Sequence, residues 1–447
     1  QAAVPELEQG EDDLVAFGPG GPVQRVFPRG PLIPVGPKGA GPEGKDLAGR
    51  RVPSVTSARP SPPVAGPELR DWQNVAAAAA AGEVGVAYLT AAEGADLPPP
   101  GIALWRRLDQ RGPKEVWGAG GATPIDVALS GDALAQFDAC LADFAPTIVV
   151  LEHTQLHALV PRLKAAGVRL VIDMHNIESH LYARLVPPRL PLKWLERRLF
   201  DHGAARIRAV ERQLLRAADQ VWLCSEADRR RLAALGPGRA ELFVVPNGLP
   251  PGRYRADQPR RAPPSRAGGR PSLLFLGQLG YPPNVQAVRY LARRVAPLLA
   301  RARPDAEIVV AGRGPSRKLA ELLGAVPNLR LVPDPPDVAP LLRAADLMLV
   351  PLFKGSGTRL KLVEAWAAGL PVVATPKAAE GLAVQHGRDL LLASRAPALV
   401  RAVLRALDDP ALYARLSAGG LALVERDLAP ERLAPLVQAL LRRLAPA

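Results

Sequence analysis

Short, wholly apolar runs recur along this chain from Arg51 to Thr375, and helix-compatible stretches separate them. A strand with one wet face alternates polar and apolar residues. Runs such as TIVVLE (147–152) and VRLVID (168–173) do not alternate, so both of their faces must be covered. Parallel sheets with helices packed on both sides meet that demand, because each parallel pairing needs a crossover long enough to hold a helix. The predicted strands of the first half are Arg51–Ala58, Val84–Thr90, Thr147–Glu152, Val168–Asp173, Val221–Cys224 and Leu242–Val245. A helix over Pro67–Ala81, with proline at its first position, follows a turn at SPPVAG (61–66). The second half predicts strands at Ser272–Leu276, Glu307–Ala311, Leu329–Val332, Leu347–Pro351 and Val372–Thr375, then three helical stretches ending in Pro430–Leu444.

This pattern divides the 447 residues into two doubly wound α/β domains, 51–248 and 271–430. A Pro-, Arg- and Gly-rich linker over 249–270 joins them, and a final helix, 431–447, is a candidate to cross back to the first domain. Residues 1–50 hold ten Gly and eight Pro with an acidic patch at Glu11, Asp12 and Asp13, a composition that cannot pack a core and reads as an extension. In such tandem domains, ligands bind in the cleft outside the carboxyl ends of the strands.

The net charge of +14 favours anionic partners: nucleotides, phosphates, anionic lipid or nucleic acid. Nucleic acid is the poorest fit, because aromatics make up only 4% and no basic stretch interleaves them as a stacking platform would. Cys140 and Cys224 are too few for a disulfide framework or a thiolate metal site. There is no G-x-S-x-G elbow, no G-x-x-x-x-G-K-[ST] phosphate loop and no Asp-x-Asp pair, which argues against hydrolase, ATPase and Asp-x-Asp metal chemistry. With no bilayer-length apolar run and no signal-peptide layout, the expected location is cytoplasmic. The basic stretch Arg189–Arg216 carries Trp194, Leu195, Leu199 and Phe200; it reads as a helix packed on its domain, with peripheral membrane contact as the alternative.

The segment PLFKGSGTRLKLVEAWAAGLPVVAT (351–375) carries the most chemistry. A buried strand ends at Pro351, a loop with Gly355, Ser356 and Gly357 follows, and a helix is expected to start near Thr358. Small residues leave N–H groups accessible at a helix N-terminus, which is an anion site. Arg359 and Lys361 add positive charge where the helix dipole disfavours it, a conflict that a bound diphosphate removes. Glu364 lies further along, within reach of ribose hydroxyls. His175 and His153 each follow a buried strand and so face the cleft. Glu152 and Glu178 are further candidates to bind acceptor hydroxyls.

The run GSGTRLKLVEAWAAGLPVVAT resembles the donor-binding signature of glycosyltransferase family 4, the large retaining group of GT-B fold. FLGQLGYPPN (275–284), VVAGRGP (309–315), AADLMLVP (344–351), VVPNGL (244–249), CSEADRRRL (224–232) and DMHNIES (173–179) resemble other family segments in the right order. The likeness is strong in the second half and weaker before Thr147. It implies that a nucleotide-sugar donor is held by Gly277, Gln278, Gly312, Gly355, Ser356, Gly357, Thr358, Arg359, Lys361 and Glu364. It implies an acceptor side lined by Gly66, His153, His175 and Asn176. His175, Lys361 and Glu364 would act in catalysis, with no metal and no cofactor beyond the donor itself. Two positions depart from the family. The earlier of its paired glutamates falls on Ser356, and Gln278 stands where many members have Arg. The expected activity is sugar transfer with retention to a glycan, lipid-linked or small-molecule hydroxyl. The alternatives are nucleotide-sugar epimerisation on the same fold and a degenerate binding or scaffold protein.

Overall fold

The computed structural model describes residues 50–61, 63, 66–90, 97–110, 114–115, 125–185, 193–249, 270–355 and 357–445. The expected extension (except Arg50), the linker residues 250–269 and Ser356 lie outside them.

In chain order the first half runs β1 (Arg51–Thr56), α1 (Gly66–Ala79), β2 (Glu83–Thr90), β3 (Leu104–Asp109), β4 (Lys114–Glu115), β5 (Leu129–Ser130), α2 (Gly131–Phe144) and β6 (Ile148–Glu152). After a tight turn over Thr154–Leu159 come α3 (Val160–Ala165), β7 (Arg169–Met174), α4 (Glu178–Leu185), α5 (Lys193–Ala217), β8 (Gln220–Leu223), α6 (Glu226–Ala233) and β9 (Glu241–Val244). Seven of these strands form one sheet in the order β3-β2-β1-β6-β7-β8-β9, with every pairing parallel. The short β4 and β5 pair antiparallel beside it.

The second half runs β10 (Ser272–Leu276), α7 (Pro282–Tyr290), α8 (Ala296–Ala302), β11 (Glu307–Gly312), α9 (Arg317–Gly324), β12 (Leu329–Pro333), α10 (Ala339–Ala344), β13 (Leu347–Val350), α11 (Leu360–Ala367), β14 (Val372–Ala374) and β15 (Leu391–Leu392). Helices α12 (Ala396–Asp408), α13 (Pro410–Leu423) and α14 (Pro430–Leu444) complete it. Its six strands are also all parallel, in the order β12-β11-β10-β13-β14-β15. Both sheets start in the middle, run outward one way, then jump back and run outward the other way. The crevice where the order reverses lies between β1 and β6 in one sheet and between β10 and β13 in the other.

The strand ends are set by local chemistry. Ser130 caps α2 by accepting from the Ala133 amide at 3.1 Å, and Ser225 caps α6 through the Asp228 amide at 3.2 Å. Proline stands in the first turn of α14, where its missing N–H costs nothing. One expectation shifts: α11 begins at Leu360, with Arg359 as its N-cap in an extended conformation, rather than near Thr358. Strands β3 and β15 were not legible as apolar runs. LWRRLD is mostly half-exposed at a sheet edge, and β15 has only two residues.

Helix α14 packs on the first sheet, not the second. Leu436, Val437, Leu440 and Leu441 share a core with Val75, Tyr88, Val150 and Trp222. Gln220 Nε2 donates to the Leu440 carbonyl at 2.9 Å, and Gln438 Nε2 to that of Ala77 at 3.0 Å. The chain therefore crosses between the domains twice, and the two crossings touch where Leu249 N–H meets the Leu428 carbonyl at 3.4 Å. The C-terminal half of α5 buries Ile207, Val210 and Leu214 against its own domain. The side chains of residues 193–200 and all of 189–192 lie outside the described residues. Among the described residues no helix is long and apolar enough to cross a membrane.

Candidate functional site

The carboxyl ends of β6 and β7 carry a buried charged cluster. Arg70 on α1 is 1% exposed and grips both oxygens of Asp173, with Nε to Oδ2 at 2.7 Å and Nη2 to Oδ1 at 2.6 Å. Its Nη1 donates to the Val245 carbonyl at 2.8 Å and to Asn247 Oδ1 at 2.6 Å. Asn74 Nδ2 donates to Asp173 Oδ2 at 2.9 Å. His175 Nε2 lies 3.2 Å from Asp71 Oδ1, 3.3 Å from Asp173 Oδ2 and 3.7 Å from Glu152 Oε2. His153, with φ of 84°, places Nε2 3.4 Å from Asp71 Oδ2 and lays its ring 3.9 Å from that of His175.

Burial would neutralise every one of these groups, so their neighbours decide which stay charged. Burial opposes ionisation of Asp173, yet Arg70 and His175 outweigh it and hold the carboxyl well below its usual range. Burial likewise works against Asp71, and His153 and His175 bring its carboxyl below the ordinary value. Glu152 is pushed well up, by burial and then by the Asp173 charge beside it. His175 rises well above its ordinary value, because its contacts with Asp173, Asp71 and Glu152 overcome burial. His153 is lowered by burial and by the positive His175 ring. The contacts thus favour the charged forms of Arg70 and His175 beside those of Asp71 and Asp173.

Two triads here, Asp71–His153–His175 and Glu152–Asp173–His175, bring ligand-type atoms within 4.8 Å of one another. Arg70 already occupies both oxygens of Asp173, which argues against the second triad as a metal site.

The facing wall comes from the second domain. Gly277 and Gln278 follow β10, Gly312 ends β11, and Gly355, Gly357, Thr358 and Arg359 lie between β13 and α11. Gly357 has φ of 70°, and a Cβ there would meet the His175 carbonyl at 2.8 Å and Asn176 Oδ1 at 2.9 Å. Only glycine lets the two walls approach so closely. Asn176 also donates to Glu178 Oε1 at 3.4 Å. Arg359 Nη1 donates to the Gly357 carbonyl at 2.6 Å, and the Thr358 carbonyl accepts from Asn247 Nδ2 at 3.2 Å. Gly66, at the start of α1, faces Leu360 at the start of α11. Arg231 and Glu380 pair across the domains at 2.8 Å.

Lys361 is the second residue of α11. Its Nζ donates to Asn284 Oδ1 at 2.9 Å and sits 4.3 Å above the centroid of the Phe275 ring. Burial, and then the nearby Arg359 charge, bring its pKa down to about 7. Glu364, one helical turn on, is buried at 8% exposure. Glu178 on the first-domain side is pushed up to about 7 by burial. The described residues that sequence reading assigned to the cleft stand at or just after strand ends, or in α1, α4 and α11. His157 and His386 are held elsewhere, by Asp126 at 2.7 Å and by the Leu392 amide at 2.9 Å.

Sequence reading missed Arg70, Asp71, Asn74 and Asn284. A signal existed for the first three: α1 buries Arg70, Asp71, Gln73 and Asn74, polar groups on a helix whose inward face should be apolar. Asn284 closes the FLGQLGYPPN segment, but nothing there singled it out, because PPNV reads as an ordinary helix start.

Two parallel-sheet domains meeting at their strand ends, with cationic and glycine-rich loops on one wall, define the GT-B class of glycosyltransferase. Residues 66–248 match the family described as glycosyl transferase 4-like domain, and residues 270–409 match glycosyl transferases group 1. The chain belongs to this glycosyltransferase family. It is 35% identical over 152 residues to the phosphatidyl-myo-inositol mannosyltransferase of Mycolicibacterium smegmatis, covering 33% of this chain and 37% of that one. It is 30% identical over 209 residues to the protein of that name from Mycobacterium leprae, covering 45% and 52%. The match spans about a third to a half of these relatives' length. Among solved structures, Anabaena Alr3699/HepE in complex with UDP-glucose aligns at TM-score 0.62 and 16% identity, covering 88% of this chain and 99% of that one. Sucrose-phosphate synthase from Thermosynechococcus elongatus aligns at TM-score 0.64 and 18% identity, covering 88% and 99%. These two likenesses concern the fold.

Proposed function

We propose that the chain transfers a sugar from a nucleoside-diphosphate sugar to a hydroxyl on a glycan, lipid-linked or small-molecule acceptor, with retention at the anomeric carbon and without a metal ion. The observation that carries this reading is Lys361: a cation held in the cleft by a neutral amide and an aromatic face, beside the Gly355–Arg359 loop. Departure of the diphosphate builds negative charge, and preorganised cations and N–H donors stabilise it most in the transition state. Retention rests on family membership. Metal independence is supported at Asp173, where Arg70 already does what a cation would do. In this reading Glu364 accepts from the ribose hydroxyls, and His175, Asn176, His153 and Gly66 border the acceptor side. The Anabaena complex makes UDP-glucose a suitable first donor to test.

Glu364→Gln keeps the shape of the side chain and removes its charge. A hydrogen bond to a charged group contributes about 1.5–3 kcal/mol, so donor affinity is expected to fall by about ten- to a hundredfold. Calorimetry on the folded variant checks this, and unchanged affinity removes Glu364 from the site. Transfer itself is tested by incubating UDP-, GDP- and dTDP-sugars with and without candidate acceptors. Donor turnover into an epimer without any acceptor would overturn the transferase reading.

A further inference from the structure

We propose that Asn284 is a positioning residue for the donor diphosphate: its amide fixes the Lys361 ammonium against the turn after β10 while leaving the charge of that ammonium unneutralised. The inference rests on the donor-site reading above and deepens it.

Asn284 lies in the first turn of α7, is 7% exposed, and stands 77 residues from Lys361 in sequence. Both ends of its amide are used. Oδ1 accepts from Lys361 Nζ at 2.9 Å, and Nδ2 donates to the Gln278 carbonyl at 2.9 Å. These partners fix which end is which, because an ammonium can only donate and a carbonyl can only accept. A carboxylate could not serve both partners, and neither could an apolar side chain. Gly277 closes the arrangement: a Cβ there would lie 2.7 Å from Lys361 Nζ and 2.8 Å from Asn284 Nδ2. The ammonium is thus held between the Phe275 ring, the Asn284 amide and the bare backbone of Gly277. Its hydrogen-bond partner is neutral, so whenever Lys361 is protonated its charge is left for an incoming diphosphate at a fixed place. A carboxylate at 284 would hold the same ammonium but cancel the charge the donor needs.

The test compares Asn284→Asp, Asn284→Ala and Lys361→Ala with the unaltered chain. Calorimetry measures affinity for UDP, GDP and dTDP, and for the matching nucleosides, between pH 6 and 9. At neutral pH, Asn284→Asp is expected to lower nucleoside-diphosphate affinity about tenfold or more, with nucleoside affinity changed less than about twofold. It is also expected to move the fall of diphosphate affinity with rising pH upward by about one unit or more, because the new carboxylate stabilises the protonated ammonium. Asn284→Ala is expected to lower diphosphate affinity without that upward move, and it decides the matter alone if the aspartate variant does not fold. A residue that merely supported the fold would lower both affinities equally and leave the pH profile in place, and that result overturns the inference. So does an aspartate variant with unchanged affinity and profile. If Lys361→Ala also binds diphosphate as before, the donor-site reading fails. If Lys361→Ala loses diphosphate while Asn284→Asp does not, the inference about Asn284 fails alone.

Discussion

Lys361→Ala is expected to weaken nucleoside-diphosphate binding by about ten- to a hundredfold, the equivalent of a charge-assisted hydrogen bond, and to leave nucleoside binding almost unchanged. Only the diphosphate presents the charge that the ammonium meets. The catalytic rate constant is expected to fall as well, because leaving-group charge is greatest in the transition state. Wild-type binding has its own signature. Lys361 titrates at about 7 in the empty protein, and a bound diphosphate raises that value. Binding above neutral pH therefore takes up a proton, and affinity declines as pH rises past 7. Calorimetry in buffers of different ionisation heat measures the uptake, which Lys361→Ala should abolish. Stability moves the other way. A lysine whose folded pKa lies below its unfolded value, about 10.4, costs the folded state most below pH 7, and the cost is relieved as pH rises towards that value. The empty alanine variant is therefore expected to melt no lower than wild type at neutral pH. Equal small losses for diphosphate and nucleoside would remove Lys361 from the donor site.

Arg70→Met is expected to destabilise the folded chain by about 3–5 kcal/mol, because removing one partner strands the other charge in the interior. Asp173 is fully buried, and Arg70 supplies two of its hydrogen bonds. The folded-state pKa of Asp173 is depressed, so the stability it contributes is present above about pH 4 and lost as pH falls through the folded value. The gap between variant and wild type should accordingly be widest near neutrality and narrow in acid. Urea denaturation at pH 7 and at about pH 2.5 measures it. Arg70→Met combined with Asp173→Leu should recover part of the loss, since no charge is then left alone. A gap that is small and independent of pH would show that the pair contributes little.

The alternation of buried strands and helices was legible because a sheet covered on both faces demands continuous apolar runs, and those runs match most strands to within one or two residues. The edge strand β3 escaped because LWRRLD is half in water and reads as loop or helix. The second-domain wall was legible because Gly355, Gly357, Lys361 and Glu364 sit within one short segment. The first-domain wall was only half legible. His175 and His153 announced themselves at strand ends, but the residues that set their protonation, Asp71 and Asp173, are joined to them by tertiary packing alone. Asn284 shows the same limit more sharply, since its meaning depends on a lysine far along the chain.

The double crossing at Leu249 and Leu428 bears on how the chain is made. The apolar face covered by Leu436, Val437, Leu440 and Leu441 belongs to strands that emerge from the ribosome much earlier. Gln220 waits 220 residues for the carbonyl of Leu440. The first domain therefore waits with one flank open while the second is made, and the second can close its own core once Leu428 is out. Chains that lack α14 would expose that flank, and a helix translated after the whole second domain acts as a seal on the first.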